Sequence, residues 1–252
     1  MFLKNANNPQ NAMAVAVSTL LPQAAKATLE QMGIRILNGY NPPKPVSEVS
    51  FHIDTNFVHI RENVFVSSKA SYEYYKQLFE DTNAKIICGA SDGVGVYPFD
   101  SAYNTAIVGK FAILCEKYAD KILLDTLYKN GFEFINVKQG YAKCSVCALD
   151  ENSVITDDTA IYKACLKKGL DVLMTEKGDV QLDGFEYGFI GGCSGKIKKD
   201  TIAFCGNIDL HRNADEIKQF CKSKNISVLS LGDFHLRDVG SILPVFENSD
   251  FC

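Results

Sequence analysis

The sequence lacks the features that mark membrane proteins and nucleic-acid-binding proteins. It has no apolar run near the roughly 18 residues that cross a bilayer, and its N-terminal MFLKNANNPQ lacks the apolar segment of a signal peptide. Its 26 Lys and Arg residues do not outnumber its 30 Asp and Glu residues, so no basic excess is available to neutralise phosphates. We therefore expect a cytoplasmic protein with no membrane and no nucleic acid among its partners.

Motifs for metals and cofactors are also scarce. The chain has nine cysteines and four histidines, and Cys144 and Cys147 form a CxxC pair, but no second pair follows at the spacing of a zinc site. The glycine-rich GFIGGCSGK at residues 188–196 matches neither the P-loop nor the dinucleotide fingerprint. We expect no metal and no cofactor, and the many free thiols suit a reducing compartment.

What the sequence does contain is a recurring unit. Its 46% apolar and 22% charged residues are typical of a globular protein. Five helix-like segments are each followed by a short apolar run rich in β-branched residues, which predicts a strand after every helix. The predicted helices cover residues 22–32, 70–80, 118–129, 158–168 and 213–224.

Capping residues support this division of the chain. Asp158 and Asn213 stand where a side-chain oxygen can accept hydrogen bonds from the first turn of a helix. Glycine favours the left-handed conformation that ends a helix, and it follows three of the predicted helices, at Gly33, Gly131 and Gly169.

Two strand-like runs precede most of the helices, which predicts a β-β-α-β unit. The runs are HIDTNFVHI and NVFVSS, YNTAIVG and KFAILC, AKCSVCAL and SVITD, and FEYGFIGGC and TIAFCG. The first unit has only AMAVAVS, and FHLRDVGSILPV follows the last helix and strand, so the C-terminal strand is expected to complete the first unit. We predict one α/β domain over residues 1–252, with five ββαβ units in a closed pseudo-fivefold ring. A doubly wound sheet is the alternative, although a plain βαβ crossover needs only one strand before each helix.

Five such units resemble the pentein fold, an α/β propeller shared by guanidino-group modifying enzymes and by the non-enzymatic translation initiation factor 6. At the level of motifs, HIDTNF (52–57) resembles the HLDTxF segment that carries the catalytic histidine of the deiminases. GYAKCS (140–145) resembles the Gly-x-x-x-Cys segment that carries their nucleophile. The resemblance implies an amidinotransferase-like or deiminase-like protein that binds a guanidino or amino-acid-like small molecule.

The resemblance also implies roles for individual residues. A thiolate attacks the guanidinium carbon, a histidine protonates the leaving amine and then activates water, and carboxylates bind the guanidinium nitrogens. Cys144 and His52 would be catalytic, and Asp54 would bind substrate together with Asp183 or Glu186. Lys143 is expected to lower the pKa of the Cys144 thiol. On a strand, His52 and Asp54 share a face with Asn56, which extends the polar row, whereas Cys144 and Cys147 point to opposite faces, so that one is buried and the other free.

The order of the motifs departs from that of the enzymes. There the carboxylates come first, then the histidine, then a cysteine near the C-terminus, so a match to His52 and Cys144 requires a circularly permuted ring. If the units correspond in linear order, the closing segment FHLRDVGSILP takes the place of the cysteine segment. His235, Arg237 and Asp238 would then line the mouth of the pocket.

Two functions follow from these alternatives. The first is an enzyme with an axial polar pocket that hydrolyses a guanidino compound or transfers its amidino group through Cys144. The second is a catalytically inactive pentein that acts as a binding or scaffold module for a protein partner, in the manner of initiation factor 6. The compact size of the chain favours the second function, and the polar residues predicted at the mouth favour the first.

Overall fold

The computed structural model describes residues 1–248, which form five α-helices and five three-stranded sheets. The helices are α1 (Gln23–Gln31), α2 (Tyr72–Leu78), α3 (Lys121–Lys129), α4 (Thr159–Lys167) and α5 (Ala214–Ser223). The strands are β1 (Ala12–Val17), β2 (Arg35–Asn38), β3 (Phe57–Arg61), β4 (Val64–Ser67), β5 (Lys85–Cys88), β6 (Ala106–Val108), β7 (Phe111–Leu114), β8 (Glu133–Asn136), β9 (Val146–Ala148), β10 (Ser153–Thr156), β11 (Asp171–Met174), β12 (Ser194–Lys198), β13 (Thr201–Phe204), β14 (Ser227–Ser230) and β15 (Leu243–Glu247). Within residues 1–248, no helix combines the length and the apolar character that a membrane crossing requires.

One arrangement recurs in four of the sheets. Strands β3 and β4 pair antiparallel, and α2 then leads to β5, which pairs with β4 in parallel. The sheets β6–β8, β9–β11 and β12–β14 repeat this order with α3, α4 and α5. The predicted ββαβ unit is therefore confirmed in these sheets.

The first sheet takes its third strand from the C-terminal part of the chain. Strand β1 pairs in parallel with β2 across α1, and β15 pairs antiparallel with β1. The prediction that the closing segment completes the first unit is confirmed, although its strand begins only at Leu243.

Of the five helix-end residues predicted from the sequence, four behave as expected. The side chain of Asp158 accepts hydrogen bonds from the first turn of α4, and Gly33, Gly131 and Gly169 all have a positive φ after their helices. Asn213 precedes α5 but does not cap it, because its side-chain oxygen accepts a hydrogen bond from the N–H of Glu176.

Apolar clusters connect neighbouring sheets. One cluster joins β1 to β3 and β4, a second joins β3 and β4 to β6 and β7, and a third joins β6 and β7 to β9 and β10. The largest cluster joins β9 and β10 to β12, β13 and β1. The N-terminal segment adds polar contacts across the units: Asn5 bonds to Glu151 between β9 and β10, Asn7 to β6, and Asn8 to β12.

The segments with the candidate motifs are turns rather than strands. His52 lies between the short 3-10 helices Glu48–Phe51 and Ile53–Thr55, and β3 begins only at Phe57. The side chains of Thr55 and Asn56 donate to the carbonyl of His52, and such local bonds compete with a strand ladder. The expected row of His52, Asp54 and Asn56 on one strand face is therefore wrong.

Cys144 also precedes its strand. It lies in a turn before β9, so strand alternation does not relate it to Cys147, and both side chains are buried. The expectation that only one of the two is buried is wrong. Residues 185–193 likewise contain no strand, a turn covers residues 190–193, and the first strand of the last unit begins at Ser194.

Candidate active site

The loops before β3 and β15 bring His52 next to Asp238. Nδ1 of His52 lies 3.6 Å from Oδ1 of Asp238, and both residues are buried. Asp238 accepts hydrogen bonds from the backbone N–H groups of Phe189 and Gly240, each at 3.0 Å. Gly240 has a φ of 71°, and a Cβ atom there would come within 2.4 Å of Cβ of His52, so this approach requires glycine. In the described part of the chain, Nδ1 of His52 has no hydrogen-bond partner.

Asn104 holds the turn that presents Cys144. Its Oδ1 accepts hydrogen bonds from the backbone N–H groups of Lys143 at 2.6 Å and of Cys144 at 3.1 Å. Its Nδ2 donates to Sγ of Cys144 at 3.1 Å and to Oδ1 of Asp54 at 3.1 Å. One buried side chain therefore fixes the backbone of the turn and also contacts its sulfur.

A chain of buried polar groups continues from the sulfur of Cys144. Sγ lies 3.3 Å from each carboxylate oxygen of Asp54, to which the thiol donates. The hydroxyl of Ser241 donates to Oδ2 of Asp54 at 2.6 Å and accepts from Nζ of Lys143 at 2.8 Å. Ser241 has a φ of 75°, a strained conformation for a residue other than glycine. These contacts together hold the side chains of Asp54 and Lys143 in place.

A pocket of about 260 Å³ opens onto His52, Cys144 and Asp238. Aromatic rings form much of its wall. The ring centroid of Phe189 lies 6.4 Å from that of Tyr141 and 6.1 Å from that of Tyr187. The lining residues are Val49, His52, Tyr141, Cys144, Leu182, Phe185, Glu186, Tyr187, Phe189 and Asp238. A thiol, an imidazole and a carboxylate therefore meet at the floor of a largely apolar pocket.

The electrostatics of the pocket favour uncharged side chains. Burial raises the pKa of the Cys144 thiol well above its usual value, and the carboxylates of Asp54 and Asp238 raise it further. Burial lowers the pKa of His52, although the charges of Asp54 and Glu48 act in the opposite direction. Burial raises the pKa of Asp54, and it raises the pKa of Asp238 to about 6. A positive charge entering the pocket would therefore stabilise the ionised forms of the thiol and both carboxyl groups.

Lys143 does not activate the thiol in the expected way. Its ammonium group bonds to Ser241, and the pKa of Cys144 is raised by burial and by two carboxylates. The expectation that Lys143 lowers this pKa is wrong, because the adjacent position in the sequence does not bring its charge to the sulfur.

Three side chains could also ligate a metal ion. The ligand atoms of His52, Cys144 and Asp238 all lie within 4.8 Å of one another, and they are the group of this kind found in residues 1–248. The same three side chains are also of the types that can act as a nucleophile, a proton carrier and an acceptor for a cation.

The other predicted residues lie at different distances from this cluster. Glu186 is exposed and lines the pocket, whereas Asn56 is buried with its side chain bonded to His52 and Tyr75. Arg237 forms ion pairs with Glu48 and Asp183.

Asp183 and His235 are also exposed, and neither they nor Arg237 are among the residues that line the pocket. The structure thus brings together Cys144, His52, Asp54, Lys143 and Asp238 and leaves the rest at the rim or outside.

Sequence reasoning missed Asn104, Ser241 and the aromatic wall. Asn104 follows Tyr103 in a segment with no motif, and nothing in its sequence context marks it. Ser241 follows Gly240 just before β15. Its polar side chain was the only feature of the sequence that could have indicated a role in the site. The glycines of GFIGGCSGK serve close packing, because a Cβ atom on Gly192 would come within 2.0 Å of the Asp238 carboxylate.

Comparison with protein families gives a match over almost the whole chain. Residues 16–243 match the model described as "Family of unknown function (DUF6873)". No curated protein sequence matches the chain.

Comparison with solved structures gives matches in fold. SxtG, an amidinotransferase from Microseira wollei in the saxitoxin biosynthetic pathway, matches with a TM-score of 0.58 and 11% identity over 99% of this chain and 98% of that one. The inosamine-phosphate amidinotransferase StrB1 from Streptomyces griseus has a TM-score of 0.57 and 10% identity, covering 98% and 97% of the two chains. The agmatine deiminase of C. jejuni has a TM-score of 0.53 and 8% identity, covering 90% of each. The predicted resemblance to the pentein fold is confirmed, and at these identities the likeness is one of fold.

Proposed function

We propose that the chain, which belongs to the family of unknown function DUF6873, is a pentein-type enzyme in which Cys144 attacks a guanidino carbon. His52 carries the proton of the reaction, and Asp238 binds the guanidinium group together with Glu186 at the rim. The enzyme hydrolyses its substrate or transfers the amidino group to an amine, and it uses no cofactor or metal.

The observation that carries the proposal is the meeting of three side chains from distant parts of the chain. His52, Cys144 and Asp238 precede β3, β9 and β15, which belong to three different sheets, and their reactive atoms lie within 4.8 Å of one another at one pocket. A buried thiol beside an imidazole and a carboxylate is costly to assemble, because each polar group loses hydration. Such a cluster in a pocket indicates a functional site more strongly than a structural one.

The first half of the reaction forms a bond between Sγ and the guanidino carbon. The thiol proton passes to His52, directly or through Asp54, which accepts the hydrogen bond from Sγ. The carbon becomes tetrahedral, His52 returns the proton to the leaving nitrogen, and the carbon–nitrogen bond breaks. The leaving group departs as ammonia or an amine, and an amidino group remains on the sulfur as a thiouronium cation.

The second half of the reaction removes the amidino group from the sulfur. Water or an acceptor amine attacks the same carbon, His52 accepts its proton, and the carbon–sulfur bond breaks to restore the thiol. Attack by water gives a urea-type product that keeps both nitrogens of the carbon on the sulfur. Attack by an amine gives a new guanidine. Which acceptor enters depends on access to the pocket, and both routes need the same three side chains.

A cationic substrate offsets the negative charges that oppose ionisation of the Cys144 thiol. The carboxylates of Asp54 and Asp238 raise the pKa of the thiol, and so they would suppress a thiolate on their own. A guanidinium group bound to Asp238 compensates this negative charge and lowers the pKa of Cys144 when the substrate is in place. The thiol would therefore be activated mainly in the complex.

The finer predictions from the sequence enter as parts of this proposal. We take residues 1–252 as one pentein-like domain in which five pseudosymmetric units close a ring, and the apolar clusters between successive sheets support that closure. We also take the ring as circularly permuted relative to the enzymes. The meeting of His52 and Cys144 supports that alignment over the linear one. The protein would act on a small molecule in the cytoplasm.

The alternative of a catalytically inactive scaffold explains less. It requires no clustering of a thiol, an imidazole and a carboxylate, and it provides no reason for the strained Ser241 behind them. The similar solved structures are amidinotransferases and deiminases, which support the enzyme as an analogy of fold.

The experiment that tests the function is a screen for turnover. The protein is incubated with a mixture of guanidino compounds, with and without an acceptor amine, and the products are followed by mass spectrometry. We expect exchange of nitrogen for oxygen or transfer of the amidino group, and we expect both to be absent in Cys144→Ala and to persist in the matched Cys147→Ala. Turnover that survives Cys144→Ala would contradict the proposal.

A further inference from the structure

The pocket above Cys144 has an unusual balance of charge. Two carboxylates, Asp238 and Glu186, line it, and no Lys or Arg among residues 1–248 belongs to its lining. A substrate with a carboxylate would enter a pocket that already repels negative charge and would find no cation in the wall to bind it.

Three cations that contact neighbouring residues also lie outside this lining. Nη2 of Arg237 lies 2.6 Å from Asp183 and 3.2 Å from Glu48, so its charge is already paired. Nζ of Lys143 donates to the hydroxyl of Ser241 at 2.8 Å. Nζ of Lys177 lies 5.7 Å from the ring centroid of Tyr187, outside the lining.

The walls favour an apolar substituent instead. Tyr141, Tyr187 and Phe189 form a row of rings beside the floor, and Phe185 extends this wall toward the mouth. Phe185 is 46% exposed, although phenylalanine side chains usually bury most of their surface. An apolar group in the pocket would cover this ring.

We propose that the substrate is an alkyl- or arylalkyl-substituted guanidine without a carboxylate. This inference rests on the proposed function of the site and adds the chemical class of the substituent. The guanidinium group lies at Asp238 and Cys144, and the substituent packs along the aromatic wall toward Phe185. The rings attract the cation through their faces and exclude water from the apolar tail.

The test compares ligands that differ in one feature. Binding to Cys144→Ser, which prevents turnover, is measured by calorimetry for guanidinium, butylguanidine, 4-guanidinobutanoate and phenethylguanidine. We expect butylguanidine to bind at least tenfold more tightly than 4-guanidinobutanoate, and phenethylguanidine to bind most tightly. Equal or tighter binding of 4-guanidinobutanoate, with guanidinium still bound, would overturn the inference and leave the proposed function intact. Failure of all four ligands to bind would overturn both.

Two variants locate the effect. Phe185→Ala is expected to weaken phenethylguanidine about tenfold and to leave guanidinium unchanged, whereas the matched Phe99→Ala, at an exposed ring outside this pocket, changes neither. Lys177→Ala is expected to leave the binding of 4-guanidinobutanoate unchanged. A loss of that binding in Lys177→Ala would show that Lys177 holds a substrate carboxylate, and it would overturn the inference.

Discussion

The sulfur of Cys144 lies 3.3 Å from both carboxylate oxygens of Asp54, while Ser241 and Asn104 hold that carboxylate from its other sides. The candidate nucleophile therefore faces a carboxyl group whose negative charge opposes ionisation of the thiol. Under the proposed function, a cation that enters the pocket offsets this charge and favours the thiolate.

Replacement of Asp54 should make the thiol of Cys144 easier to ionise. Asp54→Asn removes one of the charges that raise the pKa of Cys144, so the thiolate fraction at neutral pH should increase. We expect alkylation of Cys144 by neutral iodoacetamide to accelerate about tenfold, which corresponds to one pKa unit. The rate is measured by mass spectrometry as a function of pH. Asp183→Asn, at an exposed carboxylate, should leave the rate unchanged, and an unchanged rate in Asp54→Asn would contradict this account.

Asn104 should matter for both stability and reactivity. Asn104→Ala leaves the N–H groups of Lys143 and Cys144 without their acceptor, and an unsatisfied buried group costs about 1–3 kcal/mol. We expect the free energy of unfolding, from urea titration, to fall by about 3 kcal/mol. The matched Asn136→Ala removes one exposed hydrogen bond and should cost less than about 1 kcal/mol. Equal losses in the two variants would show that Asn104 does not hold the turn.

Two replacements of Ser241 separate the effect of backbone strain on stability from the effect of hydrogen bonding. Ser241→Ala removes the bonds to Asp54 and Lys143 and keeps a Cβ atom at a φ of 75°. Ser241→Gly removes the same bonds and relieves the strain, so we expect it to be more stable than Ser241→Ala by about 1 kcal/mol. Urea unfolding of both variants measures the difference. The opposite order would mean that the left-handed conformation is not strained here.

Asp238 should give the protein a distinctive dependence of stability on pH. Its pKa rises from 3.8 to about 6 on folding, so the folded state prefers the protonated acid, and this contribution is lost as pH rises through about 6. A shift of that size corresponds to about 3 kcal/mol. We expect the stability of Asp238→Asn relative to the wild type to increase by about that amount between pH 4 and pH 7.

Unfolding curves at several pH values give this difference for Asp238→Asn. Asp157, whose pKa burial raises to about 7, is present in both proteins, so its titration is common to both curves apart from its coupling to Asp238. The Asn136→Ala control, which changes no titratable group, should run parallel to the wild type. If the stability of Asp238→Asn also runs parallel to that of the wild type, burial does not raise the pKa of Asp238.

The repeating architecture was accessible from the sequence because each unit contains its own signals. The predicted helix at 158–168 differs from α4 (Thr159–Lys167) only at its ends, since Asp158 and Gly169 mark both boundaries chemically. The pairing of β15 with β1 was also predicted, because the first unit lacks a strand and the end of the chain supplies one.

The geometry of the site was less accessible, because it depends on turns that bonds between units create. His52 and Cys144 were identified by resemblance, but the alternation expected on strands fails at both, since each precedes its strand. The position of Asp238 beside His52 depends on Gly240 and on two backbone N–H groups, which no local pattern reveals. Asn104 meets Cys144 only through the packing of two units.

The most direct test of the central claim is the rate at which Cys144 reacts with chloroacetamidine and with chloroacetamide in the native protein, with each modified cysteine located by mass spectrometry. The first reagent carries a planar cation that Asp238 can bind, and the second is neutral and of nearly the same shape. We predict that the cationic reagent modifies Cys144 selectively and at least about tenfold faster than the neutral one, after correction for their rates with a free thiol. Equal corrected rates, or preferential reaction at another cysteine, would contradict a cation-activated nucleophile at Cys144.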